Sequence, residues 1–338
     1  MTEPGVEESQ LDLAAFTSEL SQVYEPIQDE MHALNEFLSA EFCSPEPFIH
    51  ELLMHISHFH GKQIRPACLL LAGESIGGMT KGHIKSAAVV ELIHTATLVH
   101  DDLLDDATLR RRVETVNARW GERAAVLLGD FIYSRGFSIS TEVRGVSRLL
   151  ADTTHQICAG ELLQISTAFD TSLTEERYYE IIRKKTAILY GMACQVGGKL
   201  SGATRTQQKH LEEFGTSLGM AFQISDDALD LVGDEKVIGK SLGTDLRKGK
   251  LTLPLIQLRE RLTGGKLEEY MWLLQHPTAV GTQQRILGML GDYDILKGVR
   301  ESAAGYVQRA VALLDLFSES RVRHSFERLA DFILARQL

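Results

Sequence analysis

Two short acidic sequences have the spacing of a metal site: Asp101-Asp102-Leu103-Leu104-Asp105 and Asp226-Asp227-Ala228-Leu229-Asp230. Both lie within apolar stretches, where uncompensated carboxylates are costly. On a helix, residues four apart are about 40° apart in azimuth and about 6 Å apart along the axis. Asp101 and Asp105 therefore share a face that Asp102 flanks, and Asp226, Asp230 and Asp227 repeat the arrangement. A carboxylate cluster with no accompanying Cys or His pattern selects a hard, oxygen-preferring cation. Magnesium fits, because it keeps waters and is commonly shared between a few carboxylates and phosphate oxygens. One such motif alone reads equally well as a solvated acidic helix face. Two, each followed by basic residues, do not.

The basic residues supply the complementary charge. Arg110, Arg111 and Arg112 follow the first motif, and Lys62 and Arg65 lie in His60-Gly61-Lys62-Gln63-Ile64-Arg65-Pro66. Lys185 precedes Thr186, and Lys240, Arg247, Lys248 and Lys250 follow the second motif in a Gly-punctuated segment ending at Pro254. Arginine forks and lysine point charges suit diphosphate oxygens. The combination predicts one metal-bound diphosphate and a second diphosphate held directly by cations.

These residues need an architecture to position them. No proline falls between Ala67 and Leu253, and that interval has helical apolar spacing without alternating β-branched runs. The pattern predicts helices over roughly 10–40, 47–58, 64–77, 82–107, 119–140, 143–169, 174–201 and 205–233, with shorter helices after 250. Gly77-Gly78 and Gly197-Gly198 read as breaks at helix ends. The expected fold is all-α: a single domain over 11–338, its site between facing helices, after a frayed polar N-terminus at 1–10. A net charge of −11 argues against nucleic-acid or anionic-membrane binding. No apolar run reaches the 18 or more residues of a transmembrane segment, and the N-terminus lacks the pattern of a signal peptide. Cys43, Cys68, Cys158 and Cys194 are widely spaced, which reads as reduced, mostly buried thiols in a cytoplasmic protein.

The stretch from about Gly61 to Pro254 resembles the trans-isoprenyl diphosphate synthases, or polyprenyl synthetases. The resemblance is carried by Gly61-Lys62 through Arg65-Pro66, the run Glu91 to Asp102, Arg110-Arg111, Thr115-Val116-Asn117, Gly129-Asp130, Gly160-Glu161, Lys185-Thr186, Phe222-Gln223 with the second acidic motif, and Gly239-Lys240 through Gly249-Lys250. It implies a helical bundle around a deep cavity, usually a homodimer. It implies that Asp101, Asp102, Asp105, Asp226 and Asp227 hold Mg2+, three ions per site, against an allylic diphosphate, with Asp230 in support. Arg110, Lys185 and Lys240 would contact the same diphosphate. Lys62, Arg65, His94 and Arg111 would hold isopentenyl diphosphate without a metal. Thr186 and Gln223 would face the reacting carbons, and Lys250 would help close the tail segment. His60, Gln63, Arg112, Glu114 and Leu251 depart from the family pattern, which bears on loop conformation and affinity.

The implied reaction is head-to-tail prenyl transfer, which needs electrostatic stabilisation of a leaving diphosphate but no dedicated protein base. His100 is expected to pack or to orient a carboxylate, and Arg336 to be a surface charge. Only two residues separate the Asp pair from Asp105, a spacing that resembles long-chain or archaeal-type members. Ala96 and Thr97, before the first Asp, are small where short-chain members usually carry a bulky residue. The product channel is therefore expected to run deep, to an octaprenyl or neighbouring length for quinone side chains, from a farnesyl or geranylgeranyl primer. Phe131, Ile132 and Tyr133 are candidates for its floor. Transient membrane association would assist product release. Other readings are a geranylgeranyl or farnesyl diphosphate synthase, a class I terpene cyclase and a non-catalytic synthase subunit. The cations Lys62, Arg65 and Arg111 argue against a cyclase, and the retention of both acidic motifs argues against a non-catalytic subunit.

Overall fold

Pro26 stands inside the first helical run, where it can neither donate a backbone hydrogen bond nor avoid the preceding carbonyl. In the computed structural model the chain responds with a 3-10 turn, Glu25–Ile27, before helix α1 (Gln28–Glu41). The structure describes residues 20–57, 59, 61–232, 243–315 and 317–335. After α1 come α2 (Pro47–Ser57), α3 (Ile64–Ile76) and α4 (Lys81–Leu104). A small antiparallel hairpin follows, β1 (Leu109–Arg110) paired with β2 (Val113–Glu114). Next are α5 (Val116–Trp120), α6 (Glu122–Thr141), α7 (Ser147–Ser166), α8 (Glu175–Ile182), α9 (Ile188–Leu200) and α10 (Arg205–Val232). The remainder is α11 (Thr244–Arg247), α12 (Leu253–Arg261), α13 (Gly264–Gln275), α14 (Thr282–Asp292), α15 (Ile295–Leu314) and α16 (Arg321–Ala335). The all-α expectation holds.

The differences from the expected helices have local causes. The run 119–140 is two helices, because Gly121 takes a φ of 85°, outside the helical range. The run 174–201 contains a π turn at Arg183–Ala187 between α8 and α9. Gly77 ends α3 as expected, with a φ of 108°. Gly197 and Gly198 do not break a helix; they lie inside α9 and serve close packing.

The described residues form two compact units. The first comprises the chain up to Asp152 with Met192–Glu212 and Asp315–Leu329. At its centre is α4, which packs against α1, α3 and α6. Every residue from Ser86 to Ile93 is buried, the pattern of a helix enclosed on all sides. Residues Ala67 to Ala72 of α3 are fully buried as well. Each large aliphatic side chain so enclosed contributes about 1.5–3 kcal/mol. A Cβ on Gly197 would lie 2.0 Å from the Leu69 carbonyl oxygen, so the backbones of α9 and α3 are in contact there. Of the cysteines, Cys68 and Cys194 are buried in this unit, whereas Cys43 and Cys158 are exposed, contrary to the expectation of mostly buried thiols.

The second unit comprises Thr153–Gly191, Glu213–Leu314 and the residues from Ala330. Its core includes Tyr178, Ile182, Ile224, Leu255, Tyr270, Leu273 and Val299. Helix α12, started by Pro254 in its first turn, packs against α8 and α15. The Tyr270 hydroxyl donates to the Leu255 carbonyl at 2.8 Å, which satisfies a fully buried phenol.

The glycine geometry gives a paired test. Gly197→Ala should destabilise the protein by about 1–3 kcal/mol through overpacking. Gly265→Ala, in α13 with nothing within 4 Å of the added methyl, should stabilise it by about 0.4–1 kcal/mol through the unfolded chain. Urea unfolding of the two variants reads both, and equal shifts would refute the packing role of Gly197.

Candidate active site

In the first unit the site residues belong to one helix and the turns beside it. Helix α4 carries Glu91, His94, Leu98 and Asp101 at successive spacings of three and four, which is a single face, and Asp105 continues the series at the C-cap. Asp101 and Asp105 are half-buried and Asp102 is 2% exposed. The Asp102 carboxylate is not left uncompensated: Arg110 Nε donates to its two oxygens at 2.9 and 2.8 Å. Arg110 makes this contact through Nε. The hairpin places Arg110 there by returning the chain just after α4, with Ala107 N bonded to the Asp102 carbonyl at 2.8 Å. Its two turn residues, Arg111 and Arg112, have φ of 50° and 67°. A two-residue hairpin turn demands positive φ at both positions, which glycine or asparagine meets more cheaply than arginine.

Arg111 is folded back from this turn. Its Nη1 donates to the Phe59 carbonyl, and a Cβ on Gly61 would come within 2.5 Å of its Nη2. Gly61 is therefore needed for the guanidinium to lie against the backbone. Arg65, in the first turn of α3, donates from Nη1 to His94 Nε2 at 3.0 Å. Arginine only donates, so this imidazole nitrogen is the acceptor and carries no proton. Burial holds His94 well below the usual imidazole range, and Arg65, Arg110 and Arg111 push the same way. The Lys62 carbonyl accepts from the Tyr24 hydroxyl at 2.6 Å, which fixes the segment leading into α3. Glu91 is 4% exposed and lies in the field of Arg65 and Arg111. It escaped the sequence reading, although the three-and-four spacing back from Asp105 points to it.

His100 packs as expected. Its Nε2 lies 3.3 Å from the Val126 carbonyl and 3.6 Å from Asp130, and it occupies the space where a Gly129 side chain would begin. Ala96 has no exposed surface, and Thr97 is half-buried with its hydroxyl donating to the His94 carbonyl at 2.7 Å. Of the three channel-floor candidates on α6, Ile132 is buried, Tyr133 is half-buried and Phe131 is 43% exposed.

The second unit has its own acidic group. On α10, Asp226 is half-buried, while Asp227 and Asp230 are buried. Asp227 Oδ2 accepts from the Tyr178 hydroxyl at 2.6 Å, and its Oδ1 accepts from Gln223 Nε2 at 2.7 Å. Gln223 Oε1 in turn accepts from the Thr186 hydroxyl at 2.8 Å. Burial raises the Asp227 carboxyl to about 7, and the negative charge of Asp245 adds to the effect. The Tyr178 and Gln223 hydrogen bonds oppose the rise, and Asp226 reinforces it. Asp230 holds the segment after α10: its carbonyl accepts from Gly243 N at 2.6 Å and its Oδ2 from Asp245 N at 3.1 Å. Lys250 Nζ lies 3.4 Å from Asp245 Oδ1.

Lys185 and Thr186 sit in the π turn, a local widening often found at functional positions. Lys185 Nζ is 2.5 Å from Glu161 Oε2 and 2.8 Å from Gln164 Oε1. Close approach of the helices makes this possible, since a Cβ on Gly160 would be 2.5 Å from Lys185 N. Lys240 and Arg336 lie outside the described residues. Tyr178 and Asp245 are further members that the sequence did not single out.

Among the described residues no three carboxylate, imidazole or thiol groups gather closely enough to hold an ion alone. The donors present are nonetheless those of a hard cation. Asp227 is crowded by like charge from Asp226 and Asp245, which a bound cation would relieve. Magnesium completes its shell with water and substrate phosphate, so a fully protein-built cage is not required.

Comparison with known proteins agrees with this chemistry. The family model described as polyprenyl synthetase matches residues 46–289. Octaprenyl diphosphate synthase of Escherichia coli (strain K12) is 33% identical over 319 residues, covering 94% of this chain and 99% of that protein. Geranylgeranyl diphosphate synthase of Methanosarcina mazei is 34% identical over 288 residues, covering 82% and 86% of the two chains. A crystal structure of polyprenyl synthase from Caulobacter crescentus CB15, complexed with calcium and isoprenyl diphosphate, superposes with a TM-score of 0.89. That pair is 32% identical, with 94% and 97% of the chains covered. The chain thus belongs to the polyprenyl synthetase family and is a trans-polyprenyl diphosphate synthase.

Proposed function

We propose that the enzyme condenses isopentenyl diphosphate head-to-tail with farnesyl or geranylgeranyl diphosphate to give a long-chain, all-trans polyprenyl diphosphate for quinone side chains. The observation that carries this reading is the pair of cations Arg65 and Arg111, with neutral His94 braced against Arg65, on the same helix-centred framework as the Asp101 motif. A cyclase, with a single diphosphate to bind, has no use for that second group.

In this reading Lys62, Arg65, His94 and Arg111 hold isopentenyl diphosphate. Neutral His94 fixes one arm of the Arg65 fork in a set orientation toward the phosphate oxygens it would bind. Asp101, Asp102, Asp105, Asp226, Asp227 and Asp230 are the carboxylates available to Mg2+, with three ions expected. When bound, Mg2+ neutralises charge on the allylic diphosphate as it leaves. Arg110 holds Asp102 through Nε and keeps its terminal nitrogens for that diphosphate. Lys185 and Lys240 add point charges to it, and Lys250 anchors the segment after α10 through Asp245.

The allylic C–O bond breaks with its electron pair going to diphosphate. The isopentenyl double bond attacks the resulting carbocation, and the proton lost on forming the new double bond goes to the departed diphosphate. The Thr186 and Gln223 oxygens, fixed by their mutual hydrogen bond and by Asp227, supply dipoles toward the cation. The active form is a homodimer in the cytoplasm, touching membrane only to release product. Among the described residues no helix is long and apolar enough to cross a membrane.

The product assay tests the reading. Protein with Mg2+, labelled isopentenyl diphosphate and farnesyl diphosphate should give a ladder ending at a long product, absent with EDTA. A single addition ending at geranylgeranyl diphosphate would keep the chemistry and overturn the long channel. Asp101→Ala and Asp226→Ala should each lower turnover by orders of magnitude while the circular dichroism spectrum is retained; near-normal rates in either would sink the carboxylate assignment. Ala96→Phe fills space at a fully enclosed position and should shorten the product. An unchanged product in an active variant would remove Ala96 from the channel wall.

A further inference from the structure

We infer that Glu91 takes up a proton when isopentenyl diphosphate binds, so that this buried carboxyl sets the pH dependence of the site. The inference rests on the assignment of Arg65 and Arg111 to that diphosphate. Glu91 is 4% exposed in the middle of α4, one turn before His94 and on the same face. Arg65 on α3 and Arg111 in the hairpin turn act on it through space. Arg65 also donates to His94, and Arg111 to the Phe59 carbonyl. Two cations thus act on a carboxyl-bearing side chain that has almost no exposed surface.

The balance is poised. Burial raises the Glu91 carboxyl to about 7, and the fields of Arg65 and Arg111 are what keep it from rising further. An arriving diphosphate brings two to three negative charges to those same guanidinium groups. It cancels the field that favoured the ionised carboxyl, burial is then unopposed, and the group protonates. Among the described residues, Arg110 and His94 also face this region. Arg110 is engaged by Asp102, and His94 has its Nε2 occupied by Arg65 and is held far on the neutral side. Glu91 is therefore the group closest to a change of protonation.

The linkage has a definite sign. Binding that takes up a proton weakens as pH rises between the free and the bound pKa of the group, by at most tenfold per pH unit. The ligand's own terminal phosphate acts in the opposite sense near pH 6, so the informative range lies above about pH 7.5.

Isothermal titration with isopentenyl diphosphate alone, without Mg2+ or allylic substrate, separates the cases. Near pH 8, runs in two buffers of different ionisation heat count the protons. The wild-type protein should take up a net fraction of a proton approaching one, and its Kd should rise about tenfold from pH 7.5 to 9. Glu91→Gln, nearly isosteric, should bind with no uptake and a flat Kd. Uptake that persists in Glu91→Gln would overturn the inference and point to His94. Binding by the wild type without uptake would overturn it independently of any variant. Arg65→Ala tests the underlying assignment: if it binds as tightly as wild type, the diphosphate is held elsewhere and the reading itself fails.

Discussion

Everything in this structure depends on keeping carboxylates charged, or ready to be charged, inside a helical interior. An isolated ionised carboxylate in an apolar medium is prohibitively costly. The chain meets that cost differently at each position. Asp102 is paired at once with Arg110, a residue the hairpin delivers eight positions later. Asp227 accepts two hydrogen bonds, from Tyr178 and Gln223, and still sits well above the usual carboxylate range because it is buried, with the negative charges of Asp245 and Asp226 adding to the effect. Asp230 is satisfied by the backbone of the segment that follows. These compensations are incomplete in a useful way, leaving negative charge that a divalent cation can settle.

The same logic explains the local irregularities. A plain α-helix through Arg183–Ala187 would present side chains at a uniform pitch. The π turn interrupts that pitch where Lys185 meets Glu161 and Gln164 and where Thr186 meets Gln223. The hairpin turn accepts left-handed arginines because Arg111 must reach back over Gly61. Strain of this kind costs on the order of 1–3 kcal/mol per residue and persists only where the surroundings over-determine it.

Much of this was legible in the sequence, and for identifiable reasons. The absence of proline from Ala67 to Leu253 gave the all-α architecture directly, and the helix-spaced Asp motifs pointed to hard-cation chemistry. Local rules failed where a distant partner decides. Gly197-Gly198 has the composition of a helix end, but only the Leu69 backbone shows why the glycines sit mid-helix. Lys184-Lys185-Thr186 carries no sign of a π turn. Tyr178 lies 49 residues before Asp227, so no spacing argument reaches it. Glu91 is the exception: its place in the 91, 94, 98, 101, 105 stripe is visible in the sequence itself.

That stripe makes α4 a ruler as well as a scaffold. Asp101 lies seven positions after His94, which on an α-helix is about 10.5 Å and nearly two whole turns. In the proposed reading, the point where one substrate's charge is gripped and the point where the other's is discharged are therefore held at a fixed span and a fixed phase. Adding or removing one residue between them would swing one set of groups by about 100° around the axis. Within α4, spacing is a chemical variable on a par with residue identity, and the segment from His94 to Asp101 is where this protein can least tolerate a change in length.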